Sequence, residues 1–491
     1  MVEPLHMILI IIAFFACMLG IAHYGHLRTG KGAEEYYIGG RKIGGLVSAL
    51  TYSATTYSAF MMVGLVGYAY AGGVAALGFE LTYLIGTALL LVVFAPRFLL
   101  AGRRRGYLTP TQLLRDRYRS KLIGVVVTLM CLIFLIPYIS IQARGAGLLI
   151  SEPTGGEISY EAALLFILAA TAFCAWWGGL RGVAWSDAAQ ALVMVFSSVV
   201  LLIFVITSLL GGWGNFLSGL QENPELLTTP GPKNFFNFSK FLGLTVPWFF
   251  FALSNPQVSQ RLFISKSVGA ARNMIRGFLV FGLIYTVICV LLGFAARIHL
   301  PGLERPDRAM PVLLTGVPSP LALVVTLGIL AAAVTTANSI VLSLGSMVGR
   351  DVYRVLKTKA VEKTELVIGK AVIIVMTALA GLFAWKQPGM IVELAVASSA
   401  GLVVLVPSFI ASFFWSRASA EASSLSIIIG GLIVGTFYAF NLYPLGQWPG
   451  VWGIISSTLV FVLVSALTKP PAGARRFISE IENELVKRNI A

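Results

Sequence analysis

Residues 51–58 read TYSATTYS, so seven of eight consecutive positions carry a hydroxyl and none carries a charge. A second group of hydroxyls lies in LAAAVTTANSIVLSLGSM, residues 330–347. There Ala332, Thr335 and Thr336 are spaced i, i+3, i+4, so on a helix they share one face and two hydroxyl oxygens point toward one place. Hydroxyl and carbonyl oxygens are the hard, neutral donors that a small cation such as sodium takes, about five or six at a time. They avoid the large penalty of burying an unpaired carboxylate in an apolar medium. The competing use of these hydroxyls is structural, bonding back to the preceding turn or across to a neighbouring helix.

The elements that must position these oxygens are membrane spans. Of 491 residues, 57% are hydrophobic and 12% charged, and apolar runs repeatedly reach the ~18 residues that mark a span. The runs fall at roughly 6–26, 45–70, 76–100, 122–150, 160–177, 187–211, 241–263, 274–298, 318–346, 367–385, 389–415, 422–440 and 449–467, which predicts an all-α polytopic protein of about 13 transmembrane helices. The net charge of +15 follows the positive-inside rule and does not indicate nucleic acid. Loops on one side of the predicted spans hold 29 Lys and Arg, those on the other hold 6, and Arg144 falls inside a span. This bias places the N-terminus outside and the C-terminus in the cytoplasm. The first run has no basic residues before it, and Arg28 and Lys31 follow it, so it reads as an uncleaved span. Cys17, Cys131, Cys174 and Cys289 all fall in spans without paired spacing, which marks small packing residues. No P-loop or H-E-x-x-H motif is present, which excludes ATP-driven transport and metalloprotease chemistry by those motifs. The tail after 468 predicts a short amphipathic helix through Phe477, Ile478, Ile481 and Leu485.

Two spans are expected to be broken, the second at its hydroxyl cluster and the seventh at Asn255-Pro256 within ALSNPQVSQRLF (252–263). A proline inside a span frees a backbone carbonyl, which the bilayer tolerates only where protein, ion or water satisfies it. Interrupted helices at matching positions of two halves point to a secondary transporter built from inverted repeats.

Several longer motifs carry a family pattern: YYIGGRKIGG (36–45), the hydroxyl-rich second span, WGGLRGVAWSDAAQALVM (177–194), NPQVSQRLF (255–263) and AAAVTTANSIVLSLGSMVGRDVY (331–353). With them, and over nearly its whole length, the chain resembles the sodium:solute symporter family. The resemblance implies the leucine-transporter fold, with inverted repeats over spans 2–6 (45–211) and 7–11 (241–415). Around the repeats would lie a first span and inner loop (1–44), an outer loop (212–240), two further spans (416–467) and a cytoplasmic tail (468–491). It implies a sodium site made by the carbonyls of Ala54, Tyr57 and Ala332 with the hydroxyls of Thr335 and Thr336, and a substrate site at Ala59, Phe60, Tyr138, Trp248, Ala252 and Pro256. Gln142 lies one helical turn after Tyr138. Asp187, expected where the sixth span opens near the cytoplasmic face, would assist sodium release or gating, or else favour the helix dipole and pair with Arg181.

Glu80, Arg144 and Glu393 are the charges inside apolar spans, and such charges usually pair or serve function. Arg144 is expected either to meet a substrate carboxylate or to pair with Glu80 or Glu393. Proline-type members carry an aspartate at Thr56, a tryptophan at Phe60 and a tyrosine at Ala252, departures that weigh against proline. Pantothenate-type members share the run AWKQPGMI (384–391), and monocarboxylates are a further candidate. The reading is a sodium-coupled symporter for a small carboxylate or zwitterion, multi-pass in the plasma membrane, with Na+ as its cofactor and with no covalent catalysis, nucleic acid or obligatory protein partner. A passive channel and a sensory module are the competing classes; a proton would lack an acidic carrier at the ion site.

Overall fold

The computed structural model describes residues 2–27, 30, 32–357, 359–386 and 389–490; Arg28 and Lys31, and Gln387 and Pro388 of the AWKQPGMI run, lie outside them. Among the described residues there are helices and no strand, with an isolated bridge between Ile43 and Ser265. Eleven helices there are long and apolar enough to cross a membrane. They are the first span Pro4–Gly25, the third Ala75–Arg105, the fourth Lys121–Ser151, the fifth Tyr160–Trp177, the sixth Gly179–Leu209 and the eighth Val268–His299. The ninth is Ser319–Leu356, the tenth Glu362–Trp385, the eleventh Ile391–Phe414, the twelfth Ala420–Ala439 and the thirteenth Pro449–Leu467. The second and seventh are missing from this set because both are divided. One runs Gly45–Thr56 and then Phe60–Gly72; the other is split into Phe238–Phe249, Phe251–Ser254, Pro256–Ser259 and Gln260–Phe263.

Outward faces of the spans display large apolar side chains, among them Leu89, Ile133, Phe196 and Leu283. Apolar exposure spread around the whole molecule is what lipid, not water, accommodates. The ninth span is the opposite case, with every residue from Gly328 to Met347 buried. It packs on the second, fourth, sixth and tenth spans, and its Ala, Ser, Thr and Gly residues permit that close approach.

The fifth and sixth spans form one hydrogen-bonded run, Tyr160–Phe204, turned at Gly179 (φ 54°, ψ −176°). That backbone is open to glycine and strained for other residues. Because the sixth span begins at Gly179, Asp187 does not open it. The carboxylate sits about 12 Å into the span, at 1.5 Å per residue, and is fully buried. The C-terminal helix Ala474–Lys487 buries Phe477, Ile478, Ile481 and Leu485, as its spacing predicts. It docks on the end of the third span, where the Arg105 guanidinium lies 4.8 Å from the Phe477 ring centre and bonds Glu480 at 2.8 Å.

Candidate functional site: the break in the second span

The first half of the second span ends at Thr56, and Tyr57 follows in an extended conformation (φ −93°, ψ 93°). The amides that would continue the helix are taken elsewhere. Ala59 N–H bonds the Gln142 side-chain oxygen (3.2 Å), Phe60 N–H bonds the Ser58 hydroxyl (3.1 Å), and Met61 N–H bonds the Ser58 carbonyl (3.0 Å). The carbonyls of Thr55, Thr56 and Tyr57 therefore lose their helical donors. Thr56 donates its hydroxyl back to the Tyr52 carbonyl at 2.6 Å, and the chain resumes as a π-helical turn over Phe60–Leu65, a form often found at functional sites.

The ninth span meets this break. Thr335 Oγ1 lies 3.0 Å from the carbonyl oxygens of both Ala54 and Ala332, and Thr336 Oγ1 lies 3.2 Å from those of Ala54 and Thr55. Five uncharged oxygens thus converge around two hydroxyl protons, fewer protons than the carbonyl lone pairs can accept. A hard monovalent cation suits such a donor set. Four of the five expected donors belong to this nest: Ala54, Ala332, Thr335 and Thr336. The Thr55 carbonyl joins it without having been expected. Tyr57 sits on the extended hinge with its ring packed between Phe278 (5.6 Å between ring centres) and Phe281 (5.8 Å).

One turn beyond Thr335, Ser339 Oγ donates to the Thr335 carbonyl (2.7 Å) and lies 3.1 Å from Thr55 Oγ1. It also receives a bond from Arg261 (2.6 Å), whose guanidinium reaches Asp187 Oδ2 at 3.0 Å, while Thr51 donates to the same carboxylate oxygen at 2.6 Å. Both charged side chains are at most 1% exposed. Asp187 therefore pairs with Arg261 and not with Arg181, which instead bridges Glu35 (2.9 Å) and bonds the Gly39 carbonyl (3.0 Å). Arg261 falls in the last turn of the span expected at 241–263, and the charge count takes it with the basic loop that follows. The break at Asn255 keeps it inside the protein, where an isolated charge is too costly without a partner.

The residues expected at the substrate site share one buried cluster. Trp248 is the hub: its ring centre lies 4.9 Å from Phe60, 5.2 Å from Tyr83, 6.5 Å from Tyr138 and 4.7 Å from Phe251. Gln142 spans from the Tyr138 carbonyl (3.3 Å) to the Ala59 amide. Ala59, Phe60, Tyr138, Gln142, Trp248 and Ala252 are at most 1% exposed, and Pro256 is buried. Sequence analysis did not single out Tyr83 or Phe251, which complete the aromatic wall.

Two of the three intramembrane charges, Arg144 and Glu393, have partners other than those expected. Arg144 pairs with Asp307 (3.2 Å) and bonds the Gly389 carbonyl (2.6 Å), so neither Glu80 nor Glu393 is its counterion. Asp307 belongs to the loop before the ninth span and also accepts the Ile391 amide (3.1 Å) at the start of the eleventh. Burial raises the Asp307 carboxyl above the ordinary carboxylate range, and the Arg144 guanidinium pulls it back. The same loop rests on Gly67, where an added Cβ would lie 2.6 Å from the Pro306 carbonyl. Glu393 pairs with Lys240 (3.4 Å) and accepts from Tyr68 (3.3 Å). Both oxygens of Glu80 are buried without a hydrogen-bond partner among the described residues.

The profile of the sodium:solute symporter family matches residues 36–430, a stretch that contains the broken second span, the ninth-span threonines and the Asp187–Arg261 pair. The chain belongs to the sodium:solute symporter family. It is 29% identical over 469 residues to the sodium/pantothenate symporter of Escherichia coli (strain K12), covering 94% of this chain and 96% of that protein. It is 25% identical over 486 residues to the sodium/proline symporter of Staphylococcus aureus (strain JH9), covering 94% and 93%. Its structure resembles the substrate-bound outward-open state of a Na+-coupled sialic acid symporter with a TM-score of 0.79 at 20% identity, over 94% of this chain and 98% of the other. The leucine-transporter fold with two five-helix inverted repeats, spans 2–6 and 7–11, is thereby borne out, as is the sodium-coupled class. This symporter is a multi-pass membrane protein.

Proposed function

We propose that this symporter imports a small organic carboxylate or zwitterion, of the pantothenate, monocarboxylate or amino-acid kind, and that sodium binds in the nest between the second and ninth spans. The observation that carries this reading is the convergence of the Ala54, Thr55 and Ala332 carbonyls on the Thr335 and Thr336 hydroxyls. Sodium there takes both hydroxyl oxygens and the carbonyls of Ala54, Thr55 and Ala332 as ligands, with the Tyr57 carbonyl two residues beyond Thr55 on the hinge. It thereby ties the break in the second span to the ninth, and favours the conformer that binds substrate better. Substrate lies beside the break, against Phe60, Trp248 and Tyr138, with Ala252 and Pro256 below and the Gln142 amide as a polar handle. No covalent step is involved. The similarity to a pantothenate symporter and the shared AWKQPGMI run favour a hydroxylated carboxylate.

The repeats span 45–211 and 241–415, the site is plasma membrane, and the basic loops face the cytoplasm, with the N-terminus outside. In that orientation Arg144 and Asp307 close the external end, and Asp187, held by Arg261 and Thr51, gates the internal path for sodium. Uptake into proteoliposomes of radiolabelled pantothenate, proline and short monocarboxylates, with and without an inward sodium gradient, tests the coupling. Accumulation of one substrate only with the gradient is expected; equal accumulation without sodium would sink the assignment.

A further inference from the structure

Away from the ion and substrate region, two cavities adjoin on the lipid-facing side of the molecule. The larger, about 560 Å³, lies between the first, second and sixth spans, and none of its eleven lining residues is charged. Gly20 of the first span, Leu46 and Leu50 of the second, and Leu192 of the sixth line it. The smaller, about 200 Å³, shares Tyr24, Val47 and Trp185 with the first and adds Lys42 and Arg181. Chain order sets the direction. Tyr24 ends the first span, Lys42 precedes the second and Arg181 begins the sixth, so the polar mouth lies at the end of the basic loops. Leu192 comes eleven residues after Arg181, about 16 Å along a helix at 1.5 Å per residue. That depth is close to half of a hydrocarbon core about 30 Å thick, the reach of one leaflet.

The walls are open where a chain would lie: a Cβ on Gly20 or on Gly44 would meet nothing within 4 Å. Leu46 and Leu192 are 73% and 61% exposed, so the apolar groove is uncovered along its length. At the mouth, Lys42 (2.8 Å) and Arg181 (2.9 Å) both reach Glu35, and the Lys42 side chain is 68% exposed and open to an anionic headgroup. Tyr24 and Trp185 stand beside them, amphipathic rings at the level where headgroups meet acyl chains. We propose that this groove binds one anionic diacyl phospholipid of the leaflet that faces the basic loops, phosphate at Lys42 and Arg181, acyl chain along Gly20, Leu50 and Leu192. Bound there, the lipid braces the half-span whose far end supplies the Ala54 and Thr55 carbonyls.

Native mass spectrometry of the full-length protein in detergent, titrated with phosphatidylglycerol or phosphatidylcholine of equal chain length, tests the site. Phosphatidylglycerol is expected to be retained roughly fivefold more strongly, the worth of about one basic side chain near an anionic headgroup. Lys42→Ala should abolish that preference, Gly20→Leu should lower retention of both lipids, and Leu283→Ala on a distant lipid-facing surface should change neither. If Gly20→Leu fails to fold, Lys42→Ala, at an exposed position, still decides. Equal retention of the two lipids by wild type, or retention insensitive to both groove variants, overturns the proposal. So does glycerol phosphate binding with the same Lys42 dependence, which would assign the mouth to a free phosphate, or a lipid-free dimer that Gly20→Leu dissociates.

Discussion

The second span loses its helix at Tyr57 with no proline near, whereas the seventh loses its helix at Asn255 because Pro256 follows. A residue before proline is pushed out of the helical region, and Asn255 sits accordingly at φ −95°, ψ 114°, with Pro256 opening the next short helix. This break is written into the covalent chain. The break at Tyr57 is held from outside, by Gln142 on the Ala59 amide and by Thr335 and Thr336 on the carbonyls. A break maintained by other spans depends on where those spans stand, and an ion can take over their hydrogen bonds. On the proposed ion site, the hinge with no proline is the one that sodium would remodel, and the proline hinge is its fixed counterpart.

Arg261 couples the two. It lies on the turn after Pro256, bonds Thr51 in the second span at 3.2 Å, and is the counterion of Asp187. Removing one member of a buried pair leaves the other charge uncompensated, at about 3–5 kcal/mol. Arg261→Ala should accordingly lower the thermal unfolding midpoint in detergent more than any other single change considered, and abolish uptake. An Asp187→Ala/Arg261→Ala double variant should recover most of the midpoint, because no lone charge remains. A double variant no more stable than Arg261→Ala would show that the pair does not carry the coupling.

The next effect separates the hinges directly. Sodium should slow hydrogen exchange over residues 57–61 and leave 255–259 unchanged, since the proposed ion donors lie at the first break. Thr336→Ala removes one of those donors, and losing one bond of about 1.4 kcal/mol raises the sodium concentration for half-maximal uptake about tenfold. At saturating sodium the substrate KM should stay near wild type. A sodium response in Thr336→Ala identical to wild type would remove this threonine from the ion site.

What the sequence made legible follows the same division. Spacing within one segment is readable, so the thirteen spans, the Asn255-Pro256 break and the shared face of Ala332, Thr335 and Thr336 were all expected before any coordinates. Partners across segments are not. Arg144 is expected to meet a substrate carboxylate or to pair with Glu80 or Glu393, yet its counterion Asp307 comes from a loop 163 residues away. Of the two readings of Asp187, the one that pairs it with Arg181, six residues before it, does not hold: it pairs with Arg261, 74 residues away. Hydropathy ends the seventh span at 263, and the charge count takes Arg261 with the basic loop that follows; the structure instead buries it completely against Asp187. One signal was available: Thr335, Ser339 and Ser343 recur every fourth residue, a polar stripe longer than an ion site alone requires.

The smallest effects sharpen the comparison most cleanly, because they ask what each break costs to maintain. Ser58 caps the resumed second span by accepting the Phe60 amide, and loss of such a cap is worth about 1 kcal/mol. Ser58→Ala should lower the unfolding free energy by about 1 kcal/mol, with a small drop in the midpoint, and raise exchange at residue 60. Pro256, by contrast, opens a helix at the one position where its missing N–H is no loss. Pro256→Ala should therefore leave the midpoint nearly unchanged, although the same residue in a helix interior costs about 3 kcal/mol. Its effect should appear in transport, as slower turnover, because a hinge fixed by geometry has become one that can straighten. Should Pro256→Ala instead stabilise the protein by 3 kcal/mol or so, proline would be straining a helix there and not opening one, and the contrast between the two hinges would fail.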